Sequence, residues 1–164
     1  MRYSFTGKTL GCELDENEQL WLKTNQPQLF YLHRERKAYG YFSFNSVYDC
    51  GVHICDKYEI AIDFNRMEYR SLPKVYEVGN RIRKVAKLYN KDLIDLHQYP
   101  DNRLCLLRPD VFTAVFEKRP FTIHIFCEII NSFLYWQSYF EKFGQGPWAA
   151  EEHGWDWLKQ YIQV

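Results

Sequence analysis

Residues 120–143, PFTIHIFCEIINSFLYWQSYFEKF, constrain the fold more than any other stretch. Ile123, Phe126, Cys127, Ile130, Phe133, Leu134 and Gln137 recur at helical spacing. Pro120 suits the first turn of a helix and Gly144 suits its end, so the pattern predicts one long helix reaching Phe143. The run is interrupted by His124, Glu128, Asn131 and Ser132, and nowhere does the chain offer the roughly 18 or more apolar residues that a bilayer span needs. A helix this rich in rings must therefore bury itself against protein.

The surface it needs lies upstream. KYEIAIDF, residues 57–64, alternates strictly, with Tyr58, Ile60 and Ile62 on one face and Glu59, Ala61 and Asp63 on the other. That is the pattern of a half-buried strand. LFYLH and AYGYFSF are aromatic-rich strand candidates, with RERK between them as a hairpin turn. Pro73 in SLPKVYEVG marks a turn leading into a short extended segment.

Leu14, Leu20, Trp21 and Leu22 suggest a short amphipathic piece before Pro27. Ile82, Val85 and Leu88 fit a helical stripe, whereas DLIDLHQ at 92–98 reads as a short strand ending in the polar turn YPDNR. Residues 107–120 read as irregular, and the last part of AAEEHGWDWLKQYIQV as a short final helix. Strands first and helices later, without repeats or linker, predict a single α+β domain over residues 1–164.

Charge excludes some functions. Twenty-one basic and twenty-one acidic side chains cancel, so no global field favours nucleic acid or an anionic membrane. The basic run Arg81, Arg83, Lys84, Lys87 reads as a solvated face. The first twenty residues carry charges where a secretory leader would be apolar, and five irregularly spaced cysteines argue for free thiols in a reducing cytoplasm.

One of those cysteines stands apart. In DLHQYPDNRLCLLRPD, residues 95–110, Cys105 follows a tight polar turn and lies between Leu104 and Leu106. A buried cysteine is ordinarily a small hydrophobe. In extended chain, however, Leu104 and Leu106 would anchor the segment while Cys105 points outward. His97 reads as a turn residue holding the loop, with general base as its alternative. Asp95, Asp101 and Asp110 are the carboxylates nearest in sequence that could orient an incoming amine. A Cys-His protease is a further reading, but no protease signature surrounds either residue. Cys50, His53 and Cys55 supply three potential zinc ligands where a structural site wants four, so they read as a loop with incidental thiols and no metal is expected. Cys127 reads as core, and Cys12 has no assignment.

The order of these landmarks resembles the ubiquitin-conjugating-enzyme fold. An alternating strand runs into Leu72-Pro73-Lys74-Val75. His97 precedes Leu104-Cys105-Leu106, and a long amphipathic helix follows after a loop. Within that fold the chain resembles more closely the prokaryotic conjugating-enzyme-like proteins of CBASS anti-phage operons, which carry a Trp and a His-Gly pair near the C-terminus, here Trp148 and His153-Gly154. The likeness covers roughly residues 36–158 and leaves 1–35 as a variable N-terminal portion.

The resemblance implies an antiparallel strand meander packed on helices. It also implies a thioester-forming nucleophile at Cys105 and loop support from His97. Where eukaryotic relatives have His-Pro-Asn, this chain has His97-Gln98-Tyr99, with Pro100 and Asn102 displaced. Asn102 is then a candidate for the missing asparagine's part, support of the loop or of the oxyanion, and Asp101 stands as a further candidate site residue. The implied acyl donor is the C-terminus of a cGAS/DncV-like nucleotidyltransferase, passed on to a lysine amine. No Gly-rich phosphate loop is visible, so activation would come from a separate protein or be dispensed with, and no cofactor is implied. A non-catalytic binding module on the same fold and a thiol hydrolase are the rival readings.

Overall fold

The computed structural model describes residues 2–3, 12–65, 72–108 and 122–148. Arg2–Tyr3 (β1) pairs antiparallel with Cys12–Glu13 (β2). Helix α1, Glu16–Asn25, starts at a capping box in which Asp15 accepts the Glu18 N–H and the Glu18 side chain accepts the Asp15 N–H. It is the amphipathic piece expected before Pro27, with Leu22 buried and Leu20 turned outward.

Four strands follow as an antiparallel meander: β3 Leu29–Leu32, β4 Lys37–Val47, β5 His53–Asp63 and β6 Lys74–Glu77. Their order in the sheet is their order in the chain. Alternation decides which face is which. Phe42, Phe44, Tyr58, Ile60, Ile62 and Val75 are buried, while Tyr39, Tyr41 and Phe30 lie on the outer face. In the β4–β5 register Phe42 meets Tyr58 and Gly40 meets Ile60. Gly40 adopts φ 133°, and a Cβ there would collide with the Gln28 carbonyl oxygen, so the β3 entry can close over β4 only at a glycine.

Helix α2, Arg81–Leu88, buries Ile82, Val85 and Ala86. The segment 92–98 is not the strand its leucines suggested. Leu93–Leu96 form a 3₁₀ turn. Asp92 and Asp95 make a reciprocal capping box, which favours helical over extended backbone.

The long helix α3 runs from Ile123 to Phe143. Thr122 is the N-cap, its hydroxyl accepting the Ile125 N–H, and Gly144 ends the helix in the left-handed conformation. Phe126, Ile130, Phe133, Leu134, Tyr135 and Trp136 are all buried, as expected of a helix that is apolar around most of its circumference. α3 packs on β4, β5 and α1. Pro120 itself and the proposed final short helix lie outside the described residues. The architecture is α+β, with one four-stranded antiparallel sheet and helices on its inner face.

The basic run of α2 is not a plain solvated face. Arg81 donates to both carboxylate oxygens of Asp56 (3.0 and 2.7 Å) and through Nε to Glu141 (2.7 Å), with its guanidinium 4.4 Å over the Tyr58 ring. It thereby ties α2 to β5 and α3. The charge count along the chain could not show that two acids on distant elements converge on it.

Candidate active site

Cys105 is displayed by a small hairpin attached to the free edge of β6. Gln98 and Leu104 form an antiparallel bridge, as do Tyr76 and Arg103. Tyr99 N–H donates to the Arg103 carbonyl (2.8 Å) and Asn102 N–H to the Tyr99 carbonyl (3.0 Å). The sequence explains this turn. Pro100 has the φ that its first central position requires, and Asn102 tolerates the left-handed φ of 67° that follows. Asp101 accepts the Arg103 N–H (3.1 Å), closing the turn from its side chain.

Two further bonds fix the hairpin to the sheet: Leu104 N–H to the Val75 carbonyl (2.8 Å) and Glu77 N–H to the Asn102 carbonyl (3.0 Å). From α2, Arg83 Nη2 donates to the Pro100 carbonyl (2.9 Å) and to Asn102 Oδ1 (2.8 Å). Asn102 Nδ2 in turn donates to Asn80 Oδ1 (2.8 Å). Arg83, read from the sequence as solvated, is therefore a strut of this hairpin.

The thiol sits at the end of the return strand. Leu104 and Leu106 are buried and Cys105 between them is half-buried, as alternation of an anchored extended segment requires. Cys105 N–H donates to the His97 carbonyl (2.8 Å). His97 ends the 3₁₀ turn in the left-handed conformation, φ 53°, and its ring packs edge-on against Trp136 of α3 at 6.1 Å. Burial pulls its imidazole below the ordinary value against the opposing charge of Asp95, so at neutral pH the ring is uncharged. His97 thus meets the cysteine through its backbone. α3 contributes another tie, Gln137 Nε2 to the Leu96 carbonyl (2.8 Å).

The side chain that reaches the sulfur is one the sequence reading passed over. Tyr99 donates its hydroxyl to Cys105 Sγ at 3.7 Å, and Arg103 lies over the Tyr99 ring, its guanidinium carbon 4.2 Å from the centroid. Among thirteen tyrosines nothing in the sequence marks this one except its place directly before Pro100. Beneath the hairpin, Glu77 and Gln98 are buried, and among the described residues Glu77 Oε2 and Gln98 Oε1 have no hydrogen-bond partner. Glu77 Oε1 accepts the Arg81 N–H (3.0 Å) at the start of α2.

The remaining expectations fall as follows. Asp95 belongs to the 3₁₀ capping box, whereas Asp110 and His153-Gly154 lie outside the described residues. Trp148 stacks on Tyr135 at 5.8 Å and its carbonyl accepts from Trp136 Nε1 (3.3 Å), a packing arrangement. Cys50 lies 3.0 Å from the Tyr135 hydroxyl, Cys55 is exposed, and Cys127 is buried on α3. These three and Cys105 are unpaired. Among the described residues no group of three or more His, Cys, Asp or Glu side chains is arranged to hold a metal ion, and no helix is long and apolar enough to cross a membrane.

No protein-family model matches the chain, and neither does any curated protein or solved structure.

Proposed function

We propose that the chain is a ubiquitin-conjugating-enzyme-like acyl carrier, in which Cys105 accepts an acyl group as a thioester and passes it to a lysine amine. The observation that carries this reading is the presentation of Cys105. A half-buried thiol stands between two buried leucines on a hairpin held by β6 and α2, and the 3₁₀ turn before it is tied to α3. A thiol kept only for packing does not need a turn built from Pro100, Asp101 and Asn102 to bring it to the surface.

Sulfur suits such a carrier. Exchange between thioesters is nearly balanced, and aminolysis by lysine runs downhill. Docking of donor and acceptor beside a fixed thiol supplies the proximity that most of the rate requires. The resemblance in landmark order supports the finer fold assignment, a ubiquitin-conjugating type of meander and helix. By the same analogy the donor is the C-terminus of a cGAS/DncV-like nucleotidyltransferase in bacterial anti-phage defence, activated by a separate protein.

The test is intact-mass and non-reducing gel analysis of the protein co-expressed with its genomic neighbours, as wild type, Cys105→Ala and Cys105→Ser. The expected result is a thiol-sensitive adduct on the wild type, none on the alanine variant and a thiol-resistant ester on the serine variant. An adduct absent from the wild type, with partner binding intact in Cys105→Ala, overturns the enzyme reading in favour of a binding module. Release of the cargo to water rather than to lysine would identify a thiol hydrolase.

A further inference from the structure

The geometry points to the Tyr99 hydroxyl as the donor that stabilises the oxyanion formed whenever an acyl group enters or leaves Cys105. This assignment rests on the acyl-carrier reading and goes beyond it, since the resemblance offered only Asn102 for that part.

Acyl transfer at sulfur passes through a tetrahedral carbon whose oxygen carries negative charge. A hydrogen-bond donor fixed beside that oxygen lowers the barrier. Among the described residues the donors around Cys105 can be taken in turn. The Cys105 N–H is occupied by the His97 carbonyl at 2.8 Å. The amide of Asn102 is engaged at both ends, by Arg83 and by Asn80, and is thereby drawn to α2. The His97 ring packs on Trp136 in the interior. The Arg103 guanidinium lies over the Tyr99 ring, and it is the Tyr99 hydroxyl that is directed at Sγ, from 3.7 Å.

The carbonyl oxygen of an acyl group on Cys105 is two bonds from Sγ, so a donor that reaches the sulfur meets that oxygen after a small rotation. Tyr99 is also held for the task. Its backbone closes the turn with Arg103 and Asn102, and its ring is clamped by the Arg103 guanidinium. The hydrogen bond to Cys105 comes first among the influences that raise its phenol above the ordinary value, outweighing the opposing charge of Arg103. While Cys105 is free, the hydroxyl therefore keeps its proton and stands as a donor.

The step is ordinary acyl substitution. In loading, the Cys105 thiolate attacks the carbonyl carbon of an activated donor, a thioester or acyl adenylate. A C–S bond forms, and the leaving group departs with its electron pair. In transfer, a lysine amine attacks the same carbon, a C–N bond forms, and the C–S pair returns to Cys105. The ammonium then loses its proton to water. Tyr99 lends a hydrogen bond in both halves and transfers no proton.

Tyr99→Phe tests this, because phenylalanine keeps the ring under Arg103 and removes only the donor. A synthetic peptide thioester serves as acyl donor and free lysine as acceptor. Cys105 acylation and aminolysis are followed by mass, beside alkylation of Cys105 by iodoacetamide read on the peptide that contains it. Alkylation forms no oxyanion, so it separates a chemical role from a structural one. The expected result is a fall of about 10- to 100-fold in the maximal rates of acylation and aminolysis, with the half-saturating thioester concentration unchanged and alkylation within about threefold of wild type.

Equal acylation rates in wild type and Tyr99→Phe overturn the assignment and leave the carrier reading standing. A parallel loss of alkylation and acylation overturns it too, showing that Tyr99 acts on the thiol or the loop and not on the oxyanion. A wild-type protein that alkylates but never acylates overturns the carrier reading and this assignment with it.

Discussion

Arg81→Met removes one guanidinium and keeps an unbranched side chain of good helix propensity at the start of α2. The backbone bond from Arg81 N–H to Glu77 Oε1 survives, so the loss belongs to the side chain. Asp56 loses a two-point interaction, Glu141 one bond of 2.7 Å, and Tyr58 the cation over its ring. Removing one partner of a fully buried ion pair costs about 3–5 kcal/mol, and an exposed pair contributes about 0–1 kcal/mol. Arg81, Asp56 and Glu141 side chains are 33%, 23% and 34% exposed, which places this cluster between those limits. Asp56 also keeps the Ser138 hydroxyl at 2.7 Å and the Lys57 N–H at 2.8 Å. Stacking on Tyr58 contributes about 0.5–1 kcal/mol. The expected loss is about 2–3 kcal/mol, or about 4–12 °C in Tm for a chain of this length.

The pH dependence sharpens the test. Burial pushes Asp56 upward, but hydrogen bonds from Arg81, Ser138 and the Lys57 backbone outweigh it and hold the carboxyl below its ordinary value of 3.8. A carboxyl depressed in the folded state stabilises above its unfolded value, and that contribution disappears as pH falls through the folded one. The difference between wild type and Arg81→Met is therefore largest at neutral pH and shrinks below about pH 4. Urea denaturation of both proteins at pH 7 and pH 3 measures it. A gap under about 0.5 kcal/mol at pH 7, or one equally large at pH 3, refutes the reasoning.

Glu77 carries the opposite sign. Burial raises its carboxyl above the ordinary 4.5 despite the Arg81 and Ile82 backbone donors, so the stability it contributes is full below that value and is lost as pH rises through its folded one. Glu77→Gln, which imitates the protonated acid, is expected to be the more stable protein at pH 8 and to match wild type near pH 4 in urea titrations; a destabilised variant at pH 8 counts against it. Gly40→Ala forces a side chain into the Gln28 carbonyl at a φ of 133°, and a loss of at least about 2 kcal/mol is expected by thermal denaturation. A neutral result there would mean that β3 does not close over β4 as described.

The meander was legible because its alternation is strict. Tyr58, Ile60 and Ile62 declare one face of β5, and RERK declares the turn between β3 and β4. α3 was legible over nearly its whole length because Gly144 and the ring-rich stripe leave no alternative. The stretch 92–98 misled because leucines at 93 and 96 attract more notice than the Asp92–Asp95 pair that caps a helical turn. At the candidate site, Leu104, Cys105 and Leu106 could be read from local spacing. Tyr99, Arg83, Arg103 and Glu77 could not, because their parts arise from pairings between β6, α2 and the hairpin that no single segment encodes.

The serial order of the four strands has a consequence for how the chain is made. On a ribosome each strand of the meander emerges next to the neighbour it will pair with, so the sheet can assemble as it leaves the tunnel. Its lid, α3, begins only at Ile123, some sixty residues after β5 ends at Asp63. During that interval Phe42, Tyr58, Ile60 and Ile62 present a wet apolar face. A transcript cut short before Ile123 would yield a sticky half-protein, and slow translation between Asp63 and Ile123 would lengthen its exposure to chaperones.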